Sequence, residues 1–233
     1  MTSRLYLCAP VNAIVEGIYE EHIPFSEIRQ HGDFGLGTFD RLDGEMVMLD
    51  GRVYQMTADG QVREVGDEAT TPFACVTFYK PEQTMEIEDE RSYDAFLRRL
   101  QEPLPSPNIF YAFRIEGEFA HMKVRSVPKS ECYIPLVEIA RDQPVFEYRD
   151  IRGTLAGFYT PDFMASVSVP GMHLHFLSDD LAHGGHLLAC RPRQVRASIQ
   201  PLYTVELALP RTPYYLGWDF RRDVAQDLEK AEK

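Results

Sequence analysis

Four of the seven histidines fall within fourteen positions: His173, His175, His183 and His186. In a strand, residues two apart project to the same face, so His173 and His175 share one side while Leu174 and Phe176 share the other. Ser178-Asp179-Asp180 and Gly184-Gly185 supply turn chemistry, and a hairpin built there returns His186 to the imidazole face. Three imidazoles on one wall suit a divalent metal with an open coordination position. No thiolate belongs to the set, which favours a catalytic over a structural ion; neutral imidazoles prefer zinc, copper, nickel or iron to magnesium or calcium. The competing reading leaves His173 and His175 as solvent-facing strand residues and His186 as a loop-edge histidine. His183, beside the turn, reads as a solvated loop residue, with a spare ligand as the alternative.

Other segments offer groups that could join such a metal. Glu45 follows the Asp43-Gly44 turn; it is either a solvated carboxylate or an acid/base group held on a rigid turn. Arg125 lies in Met122-Lys123-Val124-Arg125; it is either the wet side of an edge strand or a guanidinium that grips a carboxylate in a bidentate fork. The run from His31 to Phe39 is glycine-rich but has no G-K-[ST] signature, so it is not a phosphate loop. Its glycines are expected in tight turns or where the chain approaches a ligand closely. Cys8, Cys75, Cys132 and Cys190 are scattered with no C-x-x-C pair, as buried free thiols of a cytosolic protein would be. Cys190 is expected to share the face of His186, as a core filler rather than a ligand.

Helices are expected over residues 10–21, where Val11, Ile14, Val15 and Ile18 follow helical spacing, and over 25–30, 92–101 and 219–230. Three D-G turns, at Asp43-Gly44, Asp50-Gly51 and Asp59-Gly60, separate short β-type runs and predict an antiparallel meander, which 73–79 continues. Beyond the proline-rich 103–108 loop, strands are expected at 109–115, 118–127, 134–139, 145–148, 153–159, 166–169, 173–177, 186–190, 195–199 and 203–209. The shift to nearly pure β falls near Pro128 and predicts a β-rich α+β fold of two subdomains, 1–128 and 129–233.

The whole chain sets the remaining bounds. At 233 residues, 44% hydrophobic and 26% charged, it is long and apolar enough to bury a sizeable core. A net charge of −12, with basic residues no more clustered than Arg98-Arg99 and Arg221-Arg222, disfavours nucleic acid and anionic membranes as partners. No signal-peptide pattern and no long apolar run occurs, so a cytoplasmic protein is expected.

The sequence resembles the alpha-acetolactate decarboxylase family. The stretches that carry the likeness are His31 to Phe39, Leu42-Asp43-Gly44-Glu45, Arg125-Ser126-Val127, Arg152 to Phe158, Gly171-Met172-His173-Leu174-His175-Phe176 and Gly184-Gly185-His186. They stand in the family's order and separations, and the likeness runs from about residue 5 to 232. Met172 departs from the family's usual tyrosine at a position that is not a ligand.

The resemblance implies a small C-terminal β-barrel, a zinc site in the cleft beside the N-terminal sheet, and a homodimer with that sheet extended across subunits. His173, His175 and His186 would be the zinc ligands, Glu45 and Arg125 the catalytic pair, and Thr38 a neighbour. A tail glutamate would join the metal, Glu232 by alignment, with Glu229 as the alternative. The implied reaction takes 2-acetolactate, a small molecule, to acetoin and CO2 through a metal-chelated substrate and an enediolate, as in acetoin and butanediol formation. Spacing alone also admits a cupin-like metal oxygenase or isomerase, or a non-catalytic metal-stabilised binding module.

Overall fold

The computed structural model describes residues 3–90 and 92–232, apart from the side chains of residues 142, 225, 229, 230 and 232. The first half of the chain runs β1 (Arg4–Leu7), α1 (Val11–Val15), β2 (Ile23–Pro24), α2 (Phe25–Ile28), β3 (Phe34–Thr38), β4 (Glu45–Leu49), β5 (Arg52–Met56), β6 (Val62–Val65), β7 (Thr70–Thr71), β8 (Ala74–Thr77), β9 (Gln83–Glu88) and α3 (Tyr93–Gln101). The second half runs β10 (Phe110–Arg125), α4 (Leu136–Ile139), β11 (Val145–Thr160), β12 (Gly171–Ser178), β13 (Gly184–Leu202), β14 (Thr204–Leu207), α5 (Pro213–Gly217) and α6 (Ala225–Glu232).

Two larger sheets result. Seven strands lie in the order β14-β1-β8-β3-β4-β5-β6, and five in the order β10-β11-β12-β13-β9, with β10 also paired to β13. The D-G turns make β4, β5 and β6 the expected meander. Side-chain alternation sends Val47 on β4 and Phe34 and Leu36 on β3 into a core shared with Ala156, Phe158 and Leu177 of the second sheet. Met46 and Met48 on β4 pack on the other face, with Phe25 and Ile28 of α2. The five-stranded sheet wraps a second core of Phe113, Phe119, Leu155, Leu174 and Phe176, which α3 covers with Phe96 and Leu100. The Ser92 hydroxyl caps α3 by accepting from Ala95 N, as its sequence position suggests.

The strand-rich α+β class holds, but several elements differ from expectation. Residues 109–115 and 118–127 form one strand, because Glu116-Gly117 does not turn; it pairs in register with Thr154-Gly153 on one side and Arg196-Val195 on the other. The pairs 145–148 with 153–159, and 186–190 with 195–199, likewise fuse into β11 and β13. Residues 134–139 hold the short helix α4 instead of a strand, and 166–169 follow a 3-10 turn. α1 stops at Val15, closed by Gly17 N donating to Ile14 O and Ile18 N to Ala13 O, and α6 begins only at Ala225.

The glycines of the 31–39 run sit in β3, where Gly35 and Gly37 allow close approach of β8: an added Cβ would lie 2.1 Å from Cys75 O and 2.3 Å from Phe73 O. Sheet membership does not divide at residue 128. β9 and β10 belong to the five-stranded sheet, and β14 returns to pair in parallel with β1 in the seven-stranded one.

Gly44, just ahead of Glu45, has φ +86, and a Cβ there would stand 2.3 Å from Met56 O; Gly51 has φ +76 with open space around it. Gly51→Ala should therefore cost about 1–2 kcal/mol from left-handed strain alone. Gly44→Ala should cost clearly more, since Met56 must also move. Urea unfolding of the two variants checks this, and equal losses would discount the Met56 contact.

Candidate metal centre and active-site cavity

His175 on β12 and His186 on β13 are direct cross-strand partners, and His173 precedes His175 by one alternation. Leu174 and Phe176 take the opposite face, into the second core. All three imidazoles are buried, and one ring nitrogen from each falls within 4.8 Å of the others. His175 Nε2 lies 3.2 Å from His173 Nε2 and 3.4 Å from His186 Nδ1.

The seven-stranded sheet completes this geometry. His175 Nδ1 is 2.9 Å from the carbonyl oxygen of Met46 on β4. A carbonyl only accepts, so Nδ1 carries the hydrogen, and in the neutral ring Nε2 presents its lone pair. Metal-binding histidines are characteristically oriented through such a bond from the other ring nitrogen. The same Nε2 lies 3.5 Å from Glu45 Oε2. Imidazole nitrogens crowded this closely out of water are what a divalent cation satisfies together, and the Glu45 carboxylate stands beside them.

Burial drives the His173 pKa down to about 3, and the Arg125 charge adds to the effect. His175 is also pushed well below its ordinary value, by burial first, then by His173 and Arg125, against a smaller opposing effect of the Met46 carbonyl. Both rings are therefore neutral at pH 7, the form that binds metal. The donor set fits a divalent transition-metal ion, zinc among them.

The other groups arrive on strand ends. Glu45 opens β4, directly across from Thr38 on β3. The Thr38 hydroxyl donates to Gly44 O at 2.7 Å and so fixes the turn that carries Glu45. Arg125 closes β10, facing Val145 of β11 on one side and His186 on the other. Ser126 then anchors that end through its hydroxyl, 2.6 Å from Met56 O.

One cavity, partly open to solvent, is lined by Thr38, Glu45, Arg125, Gln143 and the three histidines. Its apolar lining comes from Val11, Ile14, Leu42, Phe73, Val127, Leu136 and Val169.

The structure thus brings together His173, His175, His186, Glu45, Arg125 and Thr38. His183 is not in the histidine group; its ring packs 4.4 Å from that of Tyr148, and its backbone closes the β12–β13 turn through Ser178. Cys190 does not share the metal face: it is buried in the second core, where burial pushes its thiol pKa up. The side chains of Glu229 and Glu232 lie outside the described residues. Gln143 was not singled out from sequence, and no spacing or motif marks it. Its Nε2 is buried without a hydrogen-bond partner among the described residues, a condition that costs about 1–3 kcal/mol if nothing binds there.

The histidine pKa values predict a pH dependence. An unfolded chain titrates histidine near 6.5, whereas His173 in the folded protein titrates at about 3. Between those values the unfolded chain holds more protons, so the stability of chelator-treated protein falls as pH drops from about 6.5 to about 3. His173→Asn should make that fall shallower by up to about one proton in slope. Urea midpoints measured across this range test it, and parallel profiles for variant and wild type would contradict the assignment.

Comparison with known proteins gives a consistent result. The family model described as alpha-acetolactate decarboxylase matches residues 5–222. The alpha-acetolactate decarboxylase of Methanosarcina mazei is 38% identical over 230 residues, covering 98% of this chain and 80% of the relative. That of Bacillus licheniformis is 36% identical over 231 residues, covering 98% and 91%. The crystal structure of alpha-acetolactate decarboxylase from Bacillus subtilis superposes with a TM-score of 0.95 at 33% identity, covering 99% of both chains. Matched along nearly its whole length in both sequence and fold, this chain belongs to the alpha-acetolactate decarboxylase family.

Proposed function

We propose that this protein decarboxylates 2-acetolactate (2-hydroxy-2-methyl-3-oxobutanoate) to acetoin and CO2, with zinc held by His173, His175 and His186. The observation that carries the reading is the convergence of three buried imidazole nitrogens with Glu45 and Arg125 in one cavity, in a chain of this family. Zinc, when bound, supplies Lewis-acid polarisation of the substrate's hydroxyl and ketone oxygens.

The protein's own groups divide the remaining work. Arg125 holds the substrate carboxylate in a fork that aligns the breaking C–C bond with the ketone π-system. The electron pair of that bond enters the ketone as CO2 leaves, producing an enediolate, and the former carboxyl-bearing carbon then takes one proton. In this reading Glu45, with the tail glutamate as the alternative, relays that proton from water to a single face, which yields chiral acetoin. Glu232, at the end of α6, is the favoured tail ligand and Glu229 the alternative. Support comes from α6 itself, whose Leu228 and Ala231 share a core with Leu136 of the cavity lining.

The reading extends to the assembly. The returning ladder β10-β11-β12-β13-β10 supports a small barrel carrying the histidines. The strands β14 and β6 at the ends of the seven-stranded sheet leave edges for a homodimer. Among the described residues near β14, Tyr203, Leu209 and Leu216 are exposed large hydrophobics. Sedimentation equilibrium should give twice the 26.8 kDa chain mass, and a monomer at micromolar concentration would remove the dimer.

Supplying acetolactate to zinc-loaded protein should release acetoin and CO2 in equal amounts, with turnover abolished by chelator and restored by zinc. Glu45→Gln should lower kcat by about 10²–10⁴-fold with zinc content unchanged. Absence of acetoin from the zinc-loaded wild type would refute the function. Full activity and stereochemistry in Glu45→Gln would remove Glu45 from proton delivery.

A further inference from the structure

We infer that the side-chain amide of Gln143 is a substrate-binding group, donating from Nε2 to the carboxylate that is lost as CO2. The inference rests on reading the cavity as the acetolactate site. Gln143 lines the cavity together with Arg125 and the histidines, and its Nε2 is shut off from solvent with no hydrogen-bond partner among the described residues. Buried amide donors almost always have partners, so one left open on a cavity wall points to a ligand acceptor.

The backbone holds the group rigidly beside Arg125. Gln143 is extended, with φ −70 and ψ 124, as the following Pro144 requires. The Pro144 carbonyl accepts from Ser126 N at 3.3 Å, and Val145 pairs with Arg125 itself. The amide and the guanidinium therefore issue from two strand ends fastened to each other.

Donor and acceptor counts give the amide its target. The Thr38 hydroxyl hydrogen is already spent on Gly44 O, and the His175 nitrogen facing the cavity cluster is a lone pair. Among the polar lining groups whose hydrogens are placed by these contacts, Gln143 adds a neutral donor to the charged donor Arg125. A substrate carboxylate has two oxygens to satisfy. A neutral donor also suits a group whose charge must leave it: a second cation would stabilise the ground-state carboxylate and oppose its conversion to CO2.

The test compares substrate and two inhibitors on zinc-loaded protein: 2-hydroxyisobutyrate, an unreactive 2-hydroxy-2-methyl carboxylate, and acetoin, which lacks the carboxylate. Wild-type turnover of acetolactate is measured first; its absence defeats the functional reading independently of Gln143. Given turnover, Gln143→Leu is expected to raise KM by about tenfold or more, with kcat changed by less than about threefold. The inhibition constant of 2-hydroxyisobutyrate should rise by the same factor while that of acetoin stays at the wild-type value. Gln143→Glu, which places a negative charge against the carboxylate, should raise KM further and is read against the same two inhibitors if the leucine variant does not fold. Unchanged KM, or equal weakening of both inhibitors, overturns the assignment, because a merely structural role would not single out the carboxylate.

Discussion

The bond from His175 Nδ1 to the Met46 carbonyl is the constraint on which the rest of the site depends. It is a single 2.9 Å contact between two sheets, and it fixes the ring's orientation and its tautomer together. With the hydrogen held on Nδ1, the lone pair is aimed at the nitrogens of His173 and His186 and at Glu45. The partner strand β4 carries both halves of this arrangement. Its alternation sends the Glu45 side chain into the space between the sheets while the backbone one residue later receives the imidazole hydrogen. A one-residue slip of β4 would exchange its faces and dismantle the site.

That dependence explains why the chain crosses between its sheets. β9 leaves the N-terminal half to pair with β13, and β14 leaves the C-terminal half to pair with β1. Each sheet is thus stitched to the chain of the other, and the shared core packs residues from both. Residues separated by 129 positions can then meet within hydrogen-bond distance without a mobile hinge between them. The glycine at 44 belongs to the same logic, since it lets the β3–β4 turn close tightly enough for Thr38 to hold it.

The sequence made the histidine wall legible because strand alternation has a period of two and His175 and His186 flank a turn rich in Asp and Gly. The D-G meander was legible for a similarly local reason. Longer-range features were not. Strands of 16 to 19 residues looked like pairs of shorter ones, because Glu116-Gly117 imitates a turn while cross-strand partners on both sides hold it extended. The helix at Leu136–Ile139 is one turn long, too short to show a period, and is stabilised by burial of Leu136 and Ile139 against other elements. Glu45 and Arg125 were legible only as one of two alternatives each, between which the family likeness chose, and Thr38 came from that likeness alone. Gln143 emerges only from the cavity, because an amide without a partner is a property of three-dimensional surroundings and not of spacing.

Electrostatics gives a last reason for so enclosed a site. The chain carries a net charge of −12, which opposes the approach of an anionic substrate such as the one proposed. Screening limits that opposition to about 8 Å at physiological ionic strength. Inside the cavity the balance is local: Arg125 is buried, and its field already depresses the neighbouring imidazoles' proton affinity. The apolar lining removes water that would weaken this field, so one nearby guanidinium outweighs a distant acidic surface. The same apolar walls leave little water for a half-bound carboxylate, so in the proposed reading the donors at its two oxygens weigh heavily on binding.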